Sequence, residues 1–287
     1  MKKFVLVYAL KTSDPRYLYT LYASRRLFEE AAQLQLDFSM FLASHFNESD
    51  HEPQNTCLIM RGDFSYEYLR QLELKGFTII NSSRSHLLCI DKLATSVWLT
   101  KHGWPHPKTQ LYSNNALQYP SILKPRFGKM GAGIILLEQS ADCTPQVNSM
   151  LSNHDYLMQE YIRQSYGRDV RFFFAAFEEP CALRYRTGHS ALCVIRQGTG
   201  LVSNAHEGGQ MTLFTPPQEL ANLACEIFTA SGLTYGTVDF LFKDTAAELF
   251  TVCELNSMPG FEELERASNT NTARAILKAC MESARGT

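Results

Sequence analysis

The sequence predicts a mixed α/β protein of two or three domains, and three observations carry that expectation. Across the first ninety residues, short continuous apolar runs alternate with amphipathic stretches, as in parallel strands joined by helices. From Ser121 onward the pattern becomes β-rich. Near the C-terminus, two apolar runs around a polar turn at 243–248 form a hairpin signal between helical stretches. At 287 residues the chain is long enough to bury a large core.

Residues 4–9 are continuously apolar and suit a buried parallel strand. Residues 15–36 read as one helix carrying Leu18, Leu21, Tyr22, Leu27 and Phe28. A second buried strand is expected at 57–60, a helix at 65–75 stopped by Gly76, and a strand at 77–80. No G-x-G-x-x-G follows the first strand and no G-x-x-x-x-G-K-[ST] occurs, which disfavours a dinucleotide fold and a P-loop enzyme. Residues 91–102 form a helix with Asp91 as cap and Gly103 as stop, and Pro105 and Pro107 break the chain after it. Strands follow at 122–124, 133–138, 156–162 and 170–177. Thr215-Pro216-Pro217-Gln218 has capping-box spacing and opens a helix with Leu220, Leu223, Ala224, Ile227 and Phe228 as its apolar stripe. Gly232 ends that helix; the hairpin and a helical tail complete the chain. Seams near 90 and 162 divide it into 1–90, 91–162 and 163–287.

A hydrophobic content of 45% and a charged content of 20% are those of an ordinary globular protein. The formal net charge of −2 supplies no general field for DNA. No run approaches the roughly 18 apolar residues of a membrane span, so no membrane partner is expected. The start MKKFVLVYAL imitates a signal peptide. Lys11, Asp14 and Arg16 follow it without a small-residue cleavage site, and a first strand is the better reading. Eight scattered cysteines without C-x-x-C spacing point to a reducing, cytoplasmic setting rather than zinc or disulfides. His102 and His106 flank Trp104 without a metal-ligand pattern.

Chemistry concentrates at a few places. With the hairpin turn centred between Ala246 and Ala247, Asp239 pairs with Glu254, and Asn256 shares the face of Glu254. Facing acids are unfavourable unless a cation sits between them, and Mg²⁺ is the natural hard-oxygen partner; a solvated face is the other reading. Lys124 ends a short apolar strand and precedes a loop with Gly128, Gly131 and Gly133. Such a turn lets backbone N–H groups approach a phosphate, or is a hairpin with a snorkelling lysine. Gln159-Glu160-Tyr161-Ile162 interrupts an apolar strand with a polar pair, suited to an adenine edge or to an exposed connection. Asp169 and Arg171 share one strand face, as an ion pair or as a clamp on a phosphoryl group.

These segments together resemble the ATP-grasp superfamily, and within it the RimK-like carboxylate–amine ligases. The resemblance runs from "RG" at Arg61-Gly62 through "LELKGFTIINS", "DKL" at 91–93, "LKP" with "GAGI" around Lys124, and "QEYI". It continues through "GRDVRFF", "SNAHEGG" at 203–209, "TVDFLF" and "CELNSMPGFEELE". It implies an ATP-grasp fold: an N-terminal α/β domain, then two ATP-grasp subdomains with the nucleotide between them. Lys92 and Lys124 would hold ATP phosphates beneath the 128–133 loop, and Glu160, Tyr161 and Ile162 would line the adenine pocket. Asp169 would meet the ribose or the acceptor, and Arg171 the transferring phosphoryl. Asp239, Glu254 and Asn256 would bind Mg²⁺, with Mn²⁺ as an alternative; Arg196 and Asn204 would contact the acyl phosphate or substrate.

The expected activity is ATP-dependent amide formation through an acyl phosphate. Its partners would be a carboxylate acceptor and an amino-acid amine, with a peptide or protein terminus among the candidate acceptors. Rival readings are an intramolecular or carrier-dependent ligase, a phosphotransferase, and an ATP-binding regulator without chemistry. The resemblance also implies a homodimer or homotetramer. Two departures bear on the substrate. The 181–200 segment is longer than its counterpart and carries Arg184, Arg186 and Arg196, suggesting an anionic substrate or a solvated hairpin face. Asn269 stands where relatives tend to have glycine.

Overall fold

A computed structural model describes residues 2–112, 119–128, 131–139, 144, 147, 155–201 and 209–285. Three sheets organise the described residues. The first is wholly parallel, in the order β2-β1-β3-β4, from β1 (Lys3–Ala9), β2 (Phe38–Leu42), β3 (Thr56–Gly62) and β4 (Thr78–Ile80). The second is antiparallel, in the order β5-β8-β6-β7, from β5 (Thr109–Leu111), β6 (Ser121–Pro125), β7 (Ile135–Leu137) and β8 (Tyr156–Glu160). The third carries the order β10-β11-β9-β13-β14, from β9 (Arg168–Ala175), β10 (Leu183–Arg184), β11 (Ser190–Gln197), β13 (Gly236–Phe242) and β14 (Phe250–Asn256). β12 (Gln210–Leu213) pairs with β11 beside it.

Helices fill the space between these sheets. α1 (Tyr22–Gln33) and α2 (Tyr66–Leu74) belong to the first sheet, and α3 (Ser83–Ile90) and α4 (Lys92–His102) lead into the second. α5 (Gln218–Ser231) packs against the third sheet; α6 (Glu262–Ser268) and α7 (Thr272–Arg285) close the chain. Asp91 caps α4 by accepting from the N–H groups of Leu93 and Ala94, and Gly103 ends it in the left-handed conformation at φ 70°. The helix expected over 15–36 is divided: a 3₁₀ segment at Pro15–Tyr19 gives way to extended Leu21 before α1. The Ser24 hydroxyl, donating to the Leu18 carbonyl, holds the break. α5 begins at Gln218 with Pro217 in the cap position and no side-chain cap bond, so the Thr215 capping box is not formed. β2 and α3 had no expectation.

The faces of β9 explain how core becomes site. Val170, Phe172 and Phe174 point into a cluster with α5 residues Leu220, Ala224, Ile227 and Phe228. Phe173 and Ala175, on the opposite face, join Phe4, Leu6 and Ile59 of the first sheet and Ile276 and Leu277 of α7. Along that same face, one and two pleats earlier, stand Arg171 and Asp169. A face that is apolar where the sheets touch becomes charged where they part.

Candidate active site

A cavity of about 660 Å³ opens where the three sheets part. One wall is a ladder of charged residues set by strand register. Asp169 on β9 lies opposite Arg196 on β11, Arg171 on β9 opposite Asp239 on β13, and Asp239 opposite Glu254 on β14. Arg196 grips Asp169 with both N–H arms, at 2.7 and 2.6 Å. Arg171 does the same to Asp239, at 2.9 and 2.6 Å, and Arg196 adds a third bond to Asp239 at 2.8 Å. Asp169 and Arg171 therefore do not pair with each other, although they share a face.

Burial alone would push the Asp239 carboxyl up, but Arg171 and Arg196 outweigh it and hold the group below the usual carboxylate range. Arg196 is likewise kept protonated: burial opposes its charge, and Asp239 and Asp169 more than restore it. The cation expected between the facing acids is thus supplied, for Asp239, by two arginines. Glu254 borders the cavity and accepts no hydrogen bond among the described residues. Asn256 also borders it, its Oδ1 accepting from the Met258 N–H at 2.9 Å. Among the described residues no cluster of three His, Cys, Asp or Glu side chains could hold a metal. Two acids and an amide oxygen, with Glu254 uncommitted, still form a hard-oxygen set that fits Mg²⁺.

The hairpin reaches this arrangement by a bulge. From Phe240↔Val252 outward the strands pair about Ala246, not between Ala246 and Ala247. An extra residue between Val252 and Glu254, Cys253, shifts the register and brings Glu254 opposite Asp239.

The facing wall carries the lysines. Lys124 is buried and donates to Gln159 Oε1 at 2.9 Å, and Gln159 donates in turn to Thr109 Oγ1 at 2.8 Å. Lys92, the first residue of α4, donates to the Gly128 carbonyl at 2.6 Å. Burial lowers its pKa; Glu254 opposes the shift and Lys124 adds to it. Gly131 and Gly133 have φ of 74° and 75°, which a side chain would strain, whereas Gly128 does not need that freedom. Tyr161 and Ile162 border the cavity beyond β8. The exposed Glu160 does so too, while its carboxylate accepts from the Lys108 N–H at 3.3 Å.

Asn204 lies outside the described residues. Arg184 and Arg186 are exposed on the β10 hairpin and only Arg196 of that segment reaches the site. Asn269 caps the end of α6 in the left-handed conformation at φ 52°, a backbone that glycine also suits, and is not among the residues lining the cavity. Arg61, quoted above only within a motif, lines the cavity from the first sheet. Its position in an apolar run was the available signal.

Comparison with known proteins decides the family. The RimK-like ATP-grasp domain matches residues 81–280. The chain belongs to the RimK-like ATP-grasp family. Beta-citrylglutamate synthase B of Homo sapiens is 26% identical over 230 residues, covering 76% of this chain and 56% of that protein. A probable alpha-L-glutamate ligase of Parasynechococcus marenigrum is 27% identical over a 301-residue alignment covering 94% of this chain and 60% of that protein. The chain spans a little over half the length of these curated relatives. D-alanine–D-alanine ligase from Bacillus anthracis, complexed with ATP, superposes with a TM-score of 0.70 at 13% identity, covering 99% of this chain and 97% of that one. The ATP-grasp ligase PsnB with its minimal precursor superposes at 0.67 and 16% identity, covering 99% of each chain. The likeness establishes the ATP-grasp fold for this RimK-like chain.

Proposed function

We propose that the chain is an ATP-dependent carboxylate–amine ligase that joins glutamate, or another amino acid, to an acceptor carboxylate through an acyl phosphate. The observation that carries the reading is the meeting of Lys92, Lys124, Arg171 and Arg196 with Glu254 and Asn256 around one cavity. Lys92 and Lys124, which form no ion pair among the described residues, suit polyphosphate, and the Glu254 carboxylate beside them with the Asn256 amide oxygen suits its divalent ion. The family match and the relatives named for glutamate products support the choice of reaction and amine.

Lys92 and Lys124 would neutralise the nucleotide phosphates, and the 128–133 loop would cover them. Tyr161 and Ile162 would line the adenine, with Glu160 at its rim, and Asp169 would hold Arg196 in place. Glu254 and Asn256 would hold Mg²⁺, joined by Asp239 as its arginines turn toward phosphate. The ion would neutralise charge on the phosphoryl oxygens. In the first step a substrate carboxylate oxygen attacks the γ-phosphorus, giving an acyl phosphate and ADP. In the second, an amine attacks the acyl carbon, phosphate leaves, and the amine proton passes to solvent or phosphate. Arg171 and Arg196 stabilise the charge that builds during transfer, so no protein nucleophile is required.

The test is ADP release by the full chain with Mg·ATP across pairs of carboxylates and amines, L-glutamate among them, with mass spectrometry of the product. Amine-dependent ADP release with a product heavier by one amino acid less water is expected. Tight ATP binding without such release would favour a regulator, and ADP with a phosphorylated product a phosphotransferase.

A further inference from the structure

At its far end the cavity is bounded by the first sheet. In the order β2-β1-β3-β4 the chain leaves β1 toward β2 on one side and β3 lies on the other. A crevice therefore opens between the C-terminal ends of β1 and β3, the place where open α/β sheets receive ligands. Gly62 makes it tight: at φ 102°, a Cβ there would lie 2.3 Å from the Ala9 carbonyl oxygen.

Arg61 stands beside this crevice, next to Tyr8 in the strand register, and is only 3% exposed. Its guanidinium donates to the carbonyls of Pro259 at 2.9 Å and Met258 at 3.4 Å, and to the Tyr235 hydroxyl at 3.4 Å. The rings of Tyr8 and Phe261 lie 6.0 Å from its central carbon. All of these partners are neutral. None of the described carboxylates pairs with Arg61, and its Nε–H has no acceptor among the described residues. A charge taken out of water and met only by dipoles is costly unless an anion joins it. Asp63, Glu262 and Glu263 also border this end, but the two glutamates are ion-paired with Arg266. Leu10, Leu21, Tyr22 and Met258 supply apolar wall.

We propose that Arg61 anchors a carboxylate of the acceptor substrate, distinct from the one that is activated, so that the acceptor is a polycarboxylate. One buried guanidinium whose Nε–H is unpaired among the described residues matches a single negative charge, whereas the polyphosphate has the lysines on the opposite wall. Apolar surroundings favour an organic acid over an inorganic anion. This inference rests on the ligase reading for the word acceptor, but the anchor itself is a binding claim.

The test is calorimetric titration of the full chain, loaded with Mg·ADP, with succinate, glutarate, citrate and N-acetyl-L-glutamate, each against its monoamide. At least one acid should bind about tenfold or more tightly than its amide, as loss of a charge-assisted hydrogen bond requires. Arg61→Met should abolish that preference and leave Mg·ADP affinity within about twofold, since Arg61 shares no hydrogen-bond partner with either lysine among the described residues. Arg61→Lys, which keeps charge without the planar fork, should keep part of the preference and carries the test if the methionine variant does not fold. No preference in the unsubstituted chain, or a full preference in both variants, would overturn the anchor. Normal amine-dependent ADP release beside such a result would leave the ligase reading standing. Preference without ADP release would do the reverse.

Discussion

Arg171 has one role in the structure and a second on the proposed reading. It compensates the buried Asp239, and it faces the space where a γ-phosphoryl would transfer. Loss of an arginine contact to a transferring phosphoryl costs on the order of 10³-fold in rate. Arg171→Ala should therefore abolish product formation while ATP still binds through Lys92 and Lys124. Because Arg196 remains on Asp239, the protein should stay folded, though less stable by about 3 kcal/mol, the lower end for breaking a buried pair. Arg171→Lys should recover part of the stability and little of the rate, because it cannot make two parallel bonds. Single-turnover ADP formation, nucleotide titration and urea melts read the three quantities apart, and wild-type turnover by the alanine variant would refute the role. The pairings behind this prediction join residues 68, 27 and 43 positions apart. Alternation told which residues share a strand face. It could not tell which strand lies alongside, and that decides whether Asp169 meets Arg171 or Arg196.

Local elements were legible where the signal lies within a few residues. Asp91 and Gly103 bound α4 as their chemistry requires, and the 236–256 hairpin was readable from its turn. The Cys253 bulge was not, because a ladder with one extra residue and a turn displaced by half a residue predict the same pairing of Asp239 with Glu254. β2 escaped notice because Phe38, Ser39, Met40 and Phe41 are all half-buried, so neither face is cleanly apolar. The arrangement at the ends of β1 and β3 is a property of the two strands together and gives an element-scale test. Gly62→Ala would force a methyl group against the Ala9 carbonyl and strain the backbone at φ 102°. Strain of this kind costs about 1–3 kcal/mol. The two strand ends should part, weakening binding at the crevice while Mg·ATP affinity, set by the other wall, stays unchanged. A thermal melt and paired titrations check this, and a fully stable Gly62→Ala chain with normal binding would show that the close approach is not needed.

At the scale of the molecule, α1, α6 and α7 are tied by an ionic network lying over the core that the first and third sheets share. Arg26 donates to Glu30 at 3.3 Å, to Glu265 at 3.1 Å and to Asn271 at 3.2 Å; Arg274 donates to Glu30 at 2.9 Å. Tyr22 donates to Glu265 as well, and burial with that carboxylate pushes its hydroxyl up to about 12. For Glu30, burial would raise the pKa, but Asn271, Arg274 and Arg26 lower it below the usual value. A carboxyl depressed in the folded state contributes stability that is fully present above its unfolded pKa of about 4.3 and is lost as pH falls through the folded value. Glu30→Gln should therefore lower stability at pH 7, yet narrow its difference from the unsubstituted chain as the solution is acidified below about pH 4. Because the network clamps helices that pack on both sheets, that loss should appear as one cooperative transition moving down in temperature, not as a separate early melt of the first sheet. Calorimetry at several pH values distinguishes the two. A pH-independent gap would mean that Glu30 acts through packing alone, and a split transition that the shared core does not bind the sheets into one unit.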